Sequence, residues 1–161
     1  VTVQVGAEEV HRHASTNQIV LDLARDGAPL MATVQANVRA SERDWQRFAD
    51  VGVPVRLVKG AYVEAPELAH PWGPPTDTAY VGLAEAMHRA GHPFVAATHD
   101  AVIQQRLAAA MPALGFEQLL GVRADAAARL AAEGRTVRVY VPFGPDWFRY
   151  WMRRVAESVG N

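Results

Sequence analysis

The chain has 161 residues, half of them hydrophobic, with sixteen basic side chains against seventeen acidic ones. That length builds one ordinary domain with a real core, and a net charge near zero gives no field for gathering nucleic acid or holding a membrane surface. No apolar stretch spans a bilayer and no signal-peptide pattern is present, while the absence of cysteine excludes disulfides, thiolate catalysis and cysteine metal sites. A cytosolic enzyme of one domain, 1–161, fits this frame. The sequence opens at Val1 directly in a strand-like pattern, which reads as a chain cut from a longer one.

In chain order, short β-rich runs fall at 1–5, 31–36, 55–58, 94–97, 116–119 and 136–141. Helix-patterned segments alternate with them at 8–25, 42–49, 78–90, 101–111, 124–132 and 146–158. Ser41, with Asp44 three residues on, predicts a capping box for the second helix. Gly27, Gly91 and Gly134 stand where helix C-caps belong, each shortly before the next strand. Strict β–α alternation predicts parallel strands joined by right-handed crossovers. Runs such as FVAA and VRVYVP suit strands covered on both faces. The one long irregular stretch, VEAPELAHPWGPPTD, holds four of the ten prolines and follows a strand end, a position that favours function.

Such a pattern permits an open doubly wound sheet or part of a (β/α)8 barrel. Neither GxGxxG nor GxxxxGK[ST] occurs, so nothing marks a dinucleotide crevice or a phosphate loop. Polar residues instead collect at strand C-terminal ends: Gln35, Lys59, Thr98 with His99, and Tyr140. In a barrel those ends share the catalytic face, and the barrel is the expected fold.

Within PVRLVKGAY, Arg56 sits inside an apolar strand, a costly place for a cation unless an anion or an oxygen-rich group meets it. Lys59 follows at the strand tip, and Gly60 would let a ligand approach the backbone. A flat, carbonyl-rich cofactor would account for both; a solvated strand end with a satisfied arginine is the bland alternative. Thr98 and His99 in ATHD suit hydrogen bonds to a ring or ribose, or a structural role. His11 and His13 diverge on a helix and lack a carboxylate cluster, so no metal site is expected, and His70, His88 and His92 read as loop or surface residues. In WFRYWMRRVAE, Arg153 and Arg154 lie four and three residues before Glu157 amid aromatic bulk. Two guanidiniums so placed suit forked capture of a carboxylate; an exposed helix ion pair is the bland reading.

RLVKGAY, ATHD, VRVYVPFGPDWF and the RRVAE helix, in that order, resemble the FAD-dependent proline dehydrogenases, matching the last six β/α units of their barrel. The resemblance implies a distorted (β/α)8 barrel, incomplete here, with about six units and the first two strands absent. It implies oxidation of proline to pyrroline-5-carboxylate, with hydride passing to FAD and electrons onward to a quinone or another acceptor. Gln35, Arg56, Lys59, Gly60, Ala61, Thr98 and His99 fall on flavin-contacting positions. Tyr62, Leu119 and Tyr140 fall on positions that pack around proline, Arg153 and Arg154 on its carboxylate pair, and Glu157 on the acid that orients them. The implied setting is cytoplasmic, with peripheral contact at the inner membrane as a variant.

Three departures accompany the match. The family's active-site lysine belongs to the strands absent here, so no residue of this chain is assigned the catalytic role and impaired activity alone is expected. A family aspartate falls on Gly6. The family's QAY and LYG read Gln35-Ala36-Asn37 and Leu119-Leu120-Gly121. A non-catalytic half-barrel that binds a partner through its edge strands is the alternative these departures favour.

Overall fold

A computed structural model describes residues 1–145, 147–148 and 151–152. Its elements are β1 (Val3–Gln4), α1 (Val10–Arg25), β2 (Leu30–Gln35), α2 (Ser41–Val51), β3 (Val55–Val58), α3 (Pro74–Arg89), β4 (Phe94–Ala97), α4 (Ala101–Ala110), β5 (Gly115–Leu119), α5 (Ala124–Ala132) and β6 (Val137–Tyr140). The helix expected at 146–158 falls mostly outside the described residues; those within it, 147–148 and 151–152, are helical.

The six strands form one sheet in the order β1-β2-β3-β4-β5-β6, every neighbouring pair parallel. A doubly wound sheet would reverse its strand order partway along; this one does not. The sheet also curls. Gln4 on β1 donates from Nε2 to the Glu117 carboxylate on β5 at 3.1 and 3.3 Å, across three intervening strands. In a flat sheet those strands would lie roughly 19 Å apart, so the contact requires a barrel wall with a concave face.

Period-2 alternation divides the side chains between the two faces. Val55, Leu57, Ala96 and Phe116 point to the convex side and are wholly buried under Phe48, Tyr80, Met87 and Leu107 from the helices. Tyr80 joins the layers directly, its buried hydroxyl donating to the Leu57 carbonyl at 3.0 Å. The odd positions out, Arg56 and Val58, face the concave side and stay partly accessible.

The helix ends match the glycine pattern. Gly27, Gly91 and Gly134 have φ of 89°, 65° and 79° just past the C-termini of α1, α3 and α5. The expected capping box does not form, because Ala40 is the N-cap and Ser41 already lies inside α2. The Ser41 hydroxyl instead donates to the Gln35 carbonyl at 2.6 Å, tying the helix start to the end of β2. Helix α3 starts at Pro74, four residues earlier than the sequence pattern implied: proline suits a first turn, where its missing N–H has no intrahelical partner to lose. The loop before it is held by Arg39 N–H to Leu68 O (2.9 Å) and His70 N–H to Asn37 O (2.7 Å). His92, expected in a loop or at the surface, lies in the loop between α3 and β4 but is buried, its ring 5.9 Å from that of Trp45 on α2.

Candidate active site

The concave face carries a charged cluster. Arg56 on β3 donates from Nε to Glu117 on β5 at 2.7 Å, and the side chains are only 19% and 7% exposed. Arg138 on β6 reaches the same carboxylate at 3.3 Å, and Gln4 completes the ring of donors from β1. The strand-borne cation is therefore met by an acid of the protein itself, which the sequence pattern did not expose. Glu117 alternates with buried Phe116 in GFEQL, and Arg138 repeats in VRVY the placement of Arg56 in VRLV. Those alternations were the available signal.

Lys59 leaves β3 toward the opposite face and lodges between the starts of two helices, its ammonium 2.6 Å from Asp77 on α3 and 2.7 Å from Asp100. Burial would lower its pKa, but the two carboxylates outweigh that and hold it above the ordinary 10.5. Asp100 is the N-cap of α4, where Oδ1 accepts from the Val102 and Ile103 amides at 2.9 and 3.1 Å. Burial would raise its pKa, yet Lys59 and those amides pull it below 3.8. An aspartate immediately before an apolar helix is the usual N-cap signature, so its capping role was legible in ATHD.

The rest of ATHD is held by the same rim. Thr98 is buried, its hydroxyl accepting from the Asp100 amide and its carbonyl from Gln104. His99 Nε2 accepts from the Leu119 amide at 3.1 Å, which locks the imidazole to the end of β5 and places its proton on Nδ1.

At the end of β2, buried Gln35 donates to the Glu8 carbonyl at 2.9 Å and contacts His13 Nε2 at 2.8 Å, while its Oε1 lies 3.4 Å from the Ala61 amide. Tyr62 donates to the Glu8 carboxylate at 3.2 Å, and Glu64 accepts from the Val10 amide at the start of α1. The segment after β3 thus closes over the ends of β1 and β2. Gly60 is required for a different reason than ligand approach. It has a φ of +116°, and a Cβ built on it would stand 1.9 Å from Asn37 Oδ1. Asn37 also donates to the Tyr62 carbonyl at 3.3 Å. At Gly6 a Cβ would meet nothing within 4 Å, so the space for an acidic side chain exists there.

Because the strands are parallel, Gln35, Lys59, Thr98, His99, Leu119 and Tyr140 gather at one edge of the sheet, where their strands end. Tyr140 is half exposed and Leu119 is partly buried. Gln35 and Lys59 already spend hydrogen bonds on the protein; Arg56 uses only Nε among the described residues. Two guanidiniums against one carboxylate on a concave face suit an anionic or carbonyl-rich group. Arg153, Arg154 and Glu157 lie outside the described residues.

Comparison with known proteins bears directly on this arrangement. The family model described as proline dehydrogenase matches residues 1–161. Proline dehydrogenase 1 of Bacillus subtilis is 34% identical over 168 residues, covering all of this chain and 56% of that protein. Proline dehydrogenase of Deinococcus radiodurans is 37% identical over 143 residues, covering 84% of the chain and 46% of that protein. The chain thus spans about half the length of the curated relatives it matches. Among solved structures, proline utilization A (PutA) from Bdellovibrio bacteriovorus, inactivated by N-propargylglycine, superposes with a TM-score of 0.74 over 91% of this chain and 18% of that one. At 22% identity that likeness speaks for the fold alone.

Proposed function

We infer that this chain, which belongs to the proline dehydrogenase family, contributes the FAD-binding and proline-binding wall of an enzyme that oxidises proline to pyrroline-5-carboxylate. The observation that carries the reading is the gathering of the family's motif residues at one strand-end edge of a curled parallel sheet. A bound FAD supplies the hydride acceptor for C5 of proline.

The chain's own residues do the positioning. Arg56 offers its Nη donors to the flavin from the concave face, and Gln35, Gly60, Ala61, Thr98 and His99 line the same edge. Lys59 acts from the rim, where Asp77 and Asp100 fix it. Tyr62, Leu119 and Tyr140 pack against the proline ring. Arg153 and Arg154 hold its carboxylate through charge-assisted forked hydrogen bonds, with Glu157 orienting them. A quinone or another acceptor then takes the electrons. No helix among the described residues is long and apolar enough to cross a membrane, and a cytoplasmic enzyme with peripheral contact at the inner membrane fits this chemistry.

A second reading has one observation in its favour: β6 and the residues after it leave Val139, Val141, Phe143, Trp147 and Phe148 exposed, as a partner-binding edge would. One experiment separates the two. Purified protein titrated with FAD should quench the flavin fluorescence with weak affinity, and bleaching by proline without an acceptor should be slow or absent in this chain alone. A folded protein that quenches no FAD fluorescence at any concentration refutes the enzyme reading.

A further inference from the structure

Glu117 and Arg56 do not sit level with each other. Arg56 is in register with Val95 on β4, which is in register with Gly115 on β5. Glu117 lies two residues farther along β5, roughly 7 Å nearer the strand ends. The level position on β5 is a glycine, so the concave surface is low there, and the Arg56 side chain crosses β4 on a slant toward the site edge. Glu117 accepts from Nε, on the inner side of the guanidinium, and neither Nη group has a hydrogen bond among the described residues. The carboxylate is itself fixed from two other strands, by Gln4 and Arg138.

We propose that Glu117 is a positioning residue: it aims the Arg56 guanidinium at the strand-end edge and fixes the plane in which its Nη donors meet a bound flavin. This rests on the flavin reading above and adds the group that makes Arg56 competent. A guanidinium held at one nitrogen keeps the rest of its planar fork in a defined orientation. Freed from Glu117, the side chain has several rotamers across the low concave surface, and a flavin would have to select one of them.

The test is a double-mutant cycle read by flavin affinity, from titration of FAD fluorescence quenching. Glu117→Ala should weaken FAD binding about tenfold in the otherwise native protein, a size expected for directly coupled neighbours. Glu117→Gln keeps the shape and an acceptor, guards against a folding failure, and should lose less. In an Arg56→Met background the same Glu117→Ala change should cost nothing further. An equal loss in both backgrounds, or none in either, overturns the proposal. A folded native protein that binds no FAD refutes the flavin reading instead, and the pairing is then decided without ligand. Exchange of the Arg56 Nε–H, followed by 15N NMR, should be slow in the native protein and fast in Glu117→Ala; equal exchange in both refutes the positioning.

Discussion

Gly60→Ala should be far more damaging than a partly buried loop position implies. Gly60 holds a φ of +116°, where an L side chain is strained, and such a backbone typically costs ~1–3 kcal/mol. The new Cβ would also stand 1.9 Å from Oδ1 and 2.4 Å from Cγ of Asn37. Asn37 is 2% exposed and cannot swing into solvent without giving up its 3.3 Å bond to the Tyr62 carbonyl. That loss adds ~1 kcal/mol, for a total of about 2–4 kcal/mol. In a domain of this size a kilocalorie moves the melting temperature by about 2–4 °C, so a fall of roughly 5–15 °C is expected by calorimetry. The two contributions are separable, because Asn37→Ala removes the collision and leaves the backbone strain. Gly60→Ala should therefore cost less in an Asn37→Ala background. A melting temperature within about 2 °C of the native value, or an equal penalty in both backgrounds, would refute this account.

Lys59→Met strands Asp77 and Asp100 beside each other; with the group a third exposed, the loss in urea unfolding should be ~1–2 kcal/mol, well under that of a fully buried pair. The sign with pH follows from the shifts: Asp100 is held below 3.8, so its share is present above that value and lost as pH falls through the depressed pKa. Lys59 is held above 10.5, so its share is intact below 10.5 and lost as pH rises through the raised pKa. His92 has its pKa lowered from 6.5 by burial, partly offset by its bond to the Val53 backbone. Stability from burying it neutral is full above 6.5 and falls as pH drops toward the depressed value; melting curves over roughly pH 7 to 5 should flatten in His92→Phe. Gly6→Asp meets open space and should leave the melting temperature within about 2 °C; a larger fall would mean that the first strand end is tighter than it looks.

The order of elements was legible because each apolar run is short, each helix ends near a glycine, and parallel β–α units admit few arrangements. The strand-end residues followed from the same logic, since parallel strands must deliver their C-termini to one edge. What the sequence hid were partners. Arg56 meets an acid 61 residues away, and Lys59 meets one 41 residues away; both meetings depend on sheet curvature and on which helix starts next to which strand. The burial of His92 within its loop was hidden for a similar reason. Its neighbours Gly91 and Pro93 signal a turn, but the tryptophan that buries it comes from α2. Ser41 lies one position inside the helix rather than at its cap, because its hydroxyl donates to the Gln35 carbonyl at the end of β2 instead of accepting from its own helix amides.

An arginine inside an apolar strand demands an anion, which a bound ligand or an acid of the fold can supply. Glu117 meets the demand within the fold, so Arg56 is stable with nothing bound and its burial alone implies no ligand. What remains is the second guanidinium, Arg138, drawn to the same single carboxylate and 57% exposed, together with the Nη donors that the Nε pair leaves over. A fold that needed only neutrality could have placed one arginine there. The surplus of donors on a concave face, aimed at the edge where the other motif residues end, is the feature that calls for an electron-rich partner. It also sets the energetic terms of binding: the ligand does not rescue a stranded charge but completes hydrogen bonds on a guanidinium already held in place, so orientation rather than charge neutralisation should govern its affinity.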